Sequence, residues 1–122
     1  MLTEIKQQLE TLYRGYEDSA GLCIRTHMYL EGEPINFRFY REDEKYARLV
    51  TTSGFSQWMA WCTGDWKKAA PLIDQLARPY GAAWDGENGA LYLRFRRNEM
   101  TLAQAVMRLQ QAAAVVSALD TL

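Results

Sequence analysis

The segment from residue 79 to residue 122 constrains the fold more than any other, because it has the pattern of a strand hairpin followed by a long helix. Tyr80 to Trp84 and Ala90 to Arg96 have strand character, and the turn between them is rich in residues that tolerate positive φ. Thr101 and Gln104 have the spacing of a capping box, which predicts a helix start. An apolar stripe at helical spacing follows: Leu102, Ala105, Val106, Leu109, Ala112, Ala113, Val116 and Leu119. The segment therefore predicts a β-hairpin that leads into a terminal helix.

The first half of the chain has the pattern of one helix followed by three strands. Apolar residues at steps of three and four predict an amphipathic helix over residues 2–17: Leu2, Ile5, Leu9, Leu12 and Tyr16. Alternation of apolar and polar residues then predicts strands over residues 22–30, 35–40 and 46–51. Turns rich in glycine, proline and acidic residues separate them.

The middle of the chain has weaker helical signals. Residues 55–61 are compatible with a short helix, and Asp65 suits the N-cap of a main helix over residues 66–78. In that helix Pro71 must lie in the first turn or cause a kink. Its expected apolar stripe is Ala69, Leu72, Ile73 and Leu76. The predicted order is α-β-β-β-α-β-β-α, an α+β fold in which one mainly antiparallel sheet carries helices packed on one face, as a single domain over residues 1–122.

Composition and charge exclude several classes of protein. With 14 basic and 15 acidic side chains, the chain has no global attraction to nucleic acid or to an anionic membrane. No stretch approaches the ~20 apolar residues of a membrane helix, and no apolar run of signal length stands at the N-terminus. Cys23 and Cys62 form no Cys-x-x-Cys pair, so neither a zinc site nor a disulfide framework is predicted. We therefore expect a cytoplasmic protein without membrane association.

The chemical groups of the chain do not predict an enzyme. His27 is the only histidine, and no serine lies in a nucleophile context. The acidic turn at residues 42–44 lacks the spaced ligands of a calcium loop, and no glycine-rich phosphate loop precedes a helix. We therefore expect no catalytic residue, no metal and no cofactor.

Alternation along the strands predicts a polar face on the side of the sheet away from the helices. The residues expected there are Arg25, His27, Tyr29, Arg38, Tyr40, Tyr46, Arg48, Tyr92, Arg94 and Arg96, while the carboxylates gather in the turns. Arginine beside aromatic rings offers forked hydrogen bonding and stacking, which suit an acidic protein surface, phosphates or unstacked bases. The alternative is that these arginines lie over the sheet and pair with turn carboxylates.

The tryptophans and the terminal helix provide further candidate contact surfaces. Trp58 and Trp84 are expected to fill the gap between the middle helix and the sheet, whereas Trp61 and Trp66 remain candidates for partner contacts. The alanine-rich side of the terminal helix would permit close approach of a second helix. Core packing is the simpler interpretation of that side, and a homodimer stays open.

Four motifs in the C-terminal half carry a family resemblance. They are Leu76-Ala77-Arg78-Pro79-Tyr80-Gly81, Trp84-Asp85-Gly86, Leu91-Tyr92-Leu93-Arg94, and Arg108-Leu109-Gln110-Gln111-Ala112 leading to Val116-Ser117-Ala118-Leu119. On these motifs the last fifty or so residues resemble a small domain family of unknown function found in phages, prophages and other bacterial mobile elements. The resemblance implies a protein that binds and blocks a host machine. The order of elements is also similar to that of class I type III secretion chaperones.

We therefore expect a non-enzymatic protein-binding module, in its most concrete form an inhibitor of a host defence machine encoded by a phage or mobile element. The expected contacts are the Arg/Tyr residues of the sheet together with Trp61 and Trp66. The alternatives are a nucleic-acid-binding protein that uses the same sheet face, and a chaperone of the type III secretion class.

Overall fold

The computed structural model describes residues 14–18, 21–30, 33–52 and 66–118. These ranges contain, in chain order, β1 (Arg14–Asp18), β2 (Gly21–Leu30), β3 (Glu33–Arg41), β4 (Tyr46–Thr51), α1 (Trp66–Ala77), the short 3-10 helix η1 (Arg78–Tyr80), β5 (Ala83–Asp85), β6 (Ala90–Arg96) and α2 (Leu102–Ser117). The strands form one sheet in the order β1-β2-β3-β4-β6-β5, and each neighbouring pair is antiparallel. The predicted α+β architecture is confirmed.

One face of the sheet is buried against both helices. Alternate residues of the strands supply this face, since successive side chains of a strand point to opposite sides. Its fully or almost fully buried members are Leu22, Ile24, Ile35, Phe37, Phe39, Ala47, Leu49, Leu91, Leu93 and Phe95. They form a single core cluster with Ile73 and Ala77 of α1 and with the buried stripe of α2. The helices therefore cover one face of the sheet, as the sequence predicts.

Helix α2 begins at the predicted capping box. The backbone N–H of Gln104 donates to Thr101 Oγ1 at 3.1 Å, and the backbone N–H of Thr101 donates to Gln104 Oε1 at 2.9 Å. The predicted apolar stripe of the helix is buried as far as Val116. Ala105, Ala112 and Ala113 belong to this buried stripe and pack in the core, whereas Ala114 is exposed.

The prediction of an N-terminal helix over residues 2–17 is wrong at its C-terminal end. Residues 14–17 belong to β1, in which Gly15 pairs with Ile24 and Tyr16 with Cys23. The helical spacing of the apolar residues extends to Tyr16, but Gly15 is a poor helix former and β2 offers backbone hydrogen bonds on this side. The rest of that predicted helix, the predicted helix over residues 55–61 and the predicted N-cap Asp65 lie outside the described residues.

The segment from α1 to β5 differs from the prediction in two details. Ile73 and Ala77 make the buried contact of α1, whereas Leu72 is 44% exposed, because it lies about 100° around the helix from Ile73. Tyr80 belongs to η1 and not to the strand, which begins only at Ala83. The chain leaves η1 through Gly81 in the left-handed conformation, with φ of 81°.

The described helices do not include one that is long and apolar enough to span a membrane.

We expect Leu109→Ala to lower the free energy of unfolding by about 2 to 5 kcal/mol, because Leu109 is fully buried in the core. Met107→Ala on the same helix is the matched control, since Met107 is 55% exposed and its truncation should change stability by no more than about 0.5 kcal/mol. Urea denaturation followed by circular dichroism measures both values. Equal losses for the two variants would contradict the observed orientation of α2.

Candidate functional site

The sheet face opposite the helices carries arginine and tyrosine on neighbouring strands, and we call this surface the Arg/Tyr face. Its residues are Arg25, Arg38, Tyr40, Tyr46, Arg48, Tyr92, Arg94 and Arg96. Cross-strand pairing places Tyr40 opposite Arg48 and Arg48 opposite Arg94, so these three residues form one row across β3, β4 and β6. Tyr46 lies opposite Arg96 in the next row. The structure therefore brings together most of the positively charged residues that the sequence assigns to this face.

Glu42 joins the two arginines at the centre of the row. Like charges placed opposite each other on neighbouring strands destabilise a sheet, and Arg48 and Arg94 are such a pair. Arg48 Nε donates to Glu42 Oε1 at 3.1 Å, and Arg94 Nε donates to Glu42 Oε2 at 2.8 Å. The hydrogen bond from Arg94 is the main cause that lowers the pKa of Glu42. The carboxylate is therefore ionised at neutral pH and offsets the repulsion between the two arginines.

The turn between β3 and β4 fixes the position of Glu42. Asp43 Oδ1 accepts hydrogen bonds from the backbone N–H groups of Lys45 and Tyr46, at 2.8 and 2.7 Å. The backbone N–H of Glu42 also donates to the carbonyl oxygen of Tyr46 at 3.1 Å. These bonds hold the turn closed, so that the Glu42 side chain continues the outward series of β3.

Tyrosine rings connect the arginines into one cluster. Arg94 Cζ lies 3.8 Å from the centroid of the Tyr46 ring, which is close enough for a cation–π contact. Arg96 Nε donates to the Tyr46 hydroxyl at 3.1 Å. On the other side of Arg94, Arg48 Cζ lies 5.4 Å from the centroid of the Tyr92 ring. The side chains of this cluster are therefore held in place by one another.

The Arg/Tyr face is exposed over β4 and β6 but not over its whole width. The side chains of Arg48, Arg94 and Arg96 are 44 to 52% exposed. On β2, in contrast, Cys23 occupies an outward position of the strand and is almost fully buried, and Arg38 beside it on β3 is half-buried. Arg25, the next outward residue of β2, is exposed, so the face is open at Arg25 and around Glu42 but closed at Cys23.

Four of the residues predicted to contact a partner are not placed on this face. His27 and Tyr29 lie in β2, where the pairing with β3 is irregular between Arg25 and Tyr29, and the structure describes only their backbone. Trp61 lies outside the described residues, and Trp66 is the first residue of α1, with its side chain not described. Trp84 is half-buried and packs against the core, as expected.

The sequence reading missed Glu42 and Asp85, because both were assigned to turns. Glu42 follows Asn36, Arg38 and Tyr40 at steps of two, and this spacing is the signal that could have predicted its position on the Arg/Tyr face. Asp85 is the last residue of β5 and lies opposite Ala90 of β6. Ala90 precedes Tyr92 by two residues, so Asp85 is on the same side of the sheet as Tyr92. Its carboxylate accepts hydrogen bonds from the backbone N–H groups of Glu87 and Asn88 and from Asn88 Nδ2.

An open pocket of 610 Å³ lies beside the row of Tyr40 and Arg48. The residues around it include Tyr40, Glu42, Arg48, Val50, Asp85 and Asn88. Arg48 is the only positively charged residue that lines it among the described part of the chain. The pocket therefore combines one guanidinium, two carboxylates and an aromatic ring.

Within the described ranges, no group of three or more histidine, cysteine, aspartate and glutamate residues is arranged to hold a metal ion. Comparison with known proteins finds no matching family model, no matching curated protein and no matching solved structure. Any functional argument therefore depends on the geometry of the Arg/Tyr face.

We expect Glu42→Gln to lower the free energy of unfolding by about 0.5 to 1 kcal/mol at pH 7, because it leaves the opposed arginines without their counter-ion. A lowered folded-state pKa contributes stability above the ordinary value of 4.5, and that stability is lost as the pH falls through the folded-state pKa. On acidification from pH 5, the difference between wild type and variant should therefore begin to shrink near pH 4.5 and disappear once the pH lies below the lowered folded-state pKa.

Denaturant titrations across this pH range measure the effect. Glu99→Gln is the matched control, since Glu99 lies 3.8 Å from a single guanidinium, that of Arg96. A difference between wild type and Glu42→Gln that stays constant down to pH 3, or that equals the difference for Glu99→Gln throughout, would contradict the proposed role of Glu42.

Proposed function

We propose that this chain is a non-enzymatic protein-binding module, and that the Arg/Tyr face binds an acidic surface of a partner protein. The observation that carries the proposal is the segregation of charge. Among the described side chains, the guanidinium groups on the face are those of Arg25, Arg38, Arg48, Arg94 and Arg96, and they outnumber the carboxylates of Glu42 and Asp85 on the face and of Glu99 beside Arg96. The whole chain has a formal net charge of −1. A cationic face on a nearly neutral protein suits electrostatic attraction to an acidic partner.

The order within the cluster supports binding. Tyrosine and arginine are enriched among the residues that dominate protein interfaces. Association costs free energy when long side chains must be immobilised, at about 0.5 to 1.5 kcal/mol for each such side chain. Arg48 and Arg94 are already held by Glu42, and Arg94 is also held by Tyr46. Binding would therefore cost little conformational entropy at these two arginine side chains, because they are already held in the unbound protein.

The same contacts favour a protein partner over a nucleic acid. Sequence-tolerant binding of single strands needs aromatic rings with an accessible face on which bases stack. Arg94 covers one face of the Tyr46 ring at 3.8 Å. Glu42 also places a carboxylate at the centre of the row, where it would repel phosphates. Nucleic-acid binding is therefore the less favoured alternative.

In its most concrete form, the proposed module is an inhibitor of a host machine, encoded by a phage or mobile element and acting in the cytoplasm. The motifs around Trp84-Asp85-Gly86 and Leu91-Tyr92-Leu93-Arg94 support this form. The free and buried thiol of Cys23 fits a reducing compartment. The chaperone alternative depends on the order of elements, and β1 adds a strand that this order did not include.

Affinity capture with matched charge variants tests the proposal. The face variant is Arg48→Gln with Arg94→Gln and Arg96→Gln. The control variant is Lys68→Gln with Arg78→Gln and Arg108→Gln, which removes the same charge from exposed positions on the helical side. We expect wild type and control to retain the same host protein from a lysate and the face variant to lose it. With the purified partner, calorimetry should give a dissociation constant about tenfold higher, or more, for the face variant than for wild type.

Equal retention by both variants would overturn the proposal. A fluorescent single-stranded oligonucleotide provides the second arm of the experiment. If oligonucleotide binding falls steeply with rising salt and is lost in the face variant, the partner of the face is a nucleic acid and not a protein. Light scattering on the same samples measures whether the unbound chain is a homodimer.

A further inference from the structure

We propose that the pocket beside Tyr40 and Arg48 receives one carboxylate group of the partner, with the terminal nitrogens of Arg48 as its receptor. The group would be an aspartate or glutamate side chain or the C-terminal carboxylate of a chain. This inference rests on the proposed function and deepens it, because it names the chemical group that the face recognises.

The size and position of the pocket fit this role. Its volume of 610 Å³ lies within the range of about 300 to 1,000 Å³ that is usual for small-ligand sites. It opens beside the row that also holds Arg94, so a partner lying on the Arg/Tyr face would reach it without moving the backbone. Val50 contributes apolar surface, and Tyr40 and Asn88 contribute polar groups. A side chain that carries a short apolar stem and a charged end would match this lining.

Arg48 has donors left for a ligand. Its Nε–H donates a hydrogen bond to Glu42, and its guanidinium contacts the ring of Tyr92. Among the described residues, Arg48 makes its side-chain hydrogen bond through Nε, to Glu42, and its side chain is 44% exposed. A guanidinium binds a carboxylate most strongly through two parallel N–H···O bonds. The hydrogen bond at Nε therefore restrains the guanidinium and leaves its terminal N–H groups for a ligand.

The two carboxylates of the pocket do not exclude an anion, because each is already satisfied. Glu42 is shared between Arg48 and Arg94, and these three side chains together with Asp85 carry no net charge, so that an anion is bound through the free donors of the guanidinium and not through an excess of positive charge. Asp85 accepts hydrogen bonds at 3.0 and 3.3 Å from the backbone N–H groups of Glu87 and Asn88, and at 2.8 Å from Asn88 Nδ2. The asparagine side chain is the main cause that lowers the pKa of Asp85, and the charge of Arg48 contributes.

Nuclear magnetic resonance of the full chain tests the inference, with arginine Nε–H signals and backbone amides as reporters. The probes are acetyl-tetraglutamate amide, which presents side-chain carboxylates only, and acetyl-Gly-Gln-Gln-Gly with a free C-terminus. Acetyl-tetraglutamine amide is the neutral control. We expect a saturable shift at Arg48, Asn88 and Ala90 with a Kd in the millimolar range. The responding probe identifies the source of the carboxylate.

Variants separate recognition by the guanidinium from general attraction. Arg48→Lys keeps the charge but loses the planar fork, so we expect about tenfold weaker binding of the responding probe. Arg25→Gln removes a charge from the same face outside the pocket lining and should leave the affinity within about twofold. Amide spectra of each variant show whether it is folded. Arg48→Gln removes the charge as well as the fork and should weaken binding at least as much; if it fails to fold, Arg48→Lys still provides the comparison.

Three results would overturn the inference. They are no saturable shift with either carboxylate probe, shifts that map away from the pocket, and an equal loss of affinity in Arg48→Lys and Arg25→Gln. The protein-binding function can survive these results, since the capture experiment depends on three arginines and on the natural partner. Conversely, probe binding at Arg48 together with equal capture by the face and control variants would overturn the function and leave the pocket as a carboxylate site.

Discussion

The shared contact of Arg48 and Arg94 with Glu42 is the interaction on which the candidate surface depends. Antiparallel pairing of β4 with β6 places the two arginines opposite each other, and the buried face fixes this register. Leu49 and Leu93, the next residues along the two strands, are almost fully buried, so a slip by one residue would turn them to solvent. The repulsion between the arginines therefore cannot be relieved by changing the pairing. It is relieved by a carboxylate that the neighbouring turn supplies.

The buried core and the Arg/Tyr face therefore both result from the alternation of inward and outward side chains along the strands. Leu91, Leu93 and Phe95 face the helices, and the residues between and beyond them, Tyr92, Arg94 and Arg96, must face the other way. Hydrophobic burial holds the strand rigidly, and rigid strands hold their outward side chains more precisely than loops do. The Arg/Tyr face therefore gains its order from the packing of the core on the other side of the sheet.

The sequence predicts the part of the fold that depends on local periodicity. The strands over 46–51 and 90–96, the helix after the capping box at Thr101 and the outward positions of Arg48 and Arg94 all follow from spacing along the chain. Other features depend on which elements become neighbours. Tyr16 is a strand residue because β2 lies beside it, and Glu42 is part of the face because the turn at Asp43 folds it over β4. Period-two spacing gives Glu42 an outward position, but it predicts neither the strand at Tyr16 nor the contact of Glu42 with Arg48 and Arg94.

Glu42 also changes what the surface can recognise. A row of arginines without a counter-ion would attract any polyanion, and its strength would come from long-range charge that salt screens within about 8 to 10 Å. With Glu42 in place, part of that charge is neutralised, and the Nε–H of each of the two guanidinium groups is engaged by the carboxylate. Recognition then depends on the geometry of the acceptor more than on its charge. This favours a partner that presents single carboxylates on a folded surface over a flexible, uniformly charged polymer.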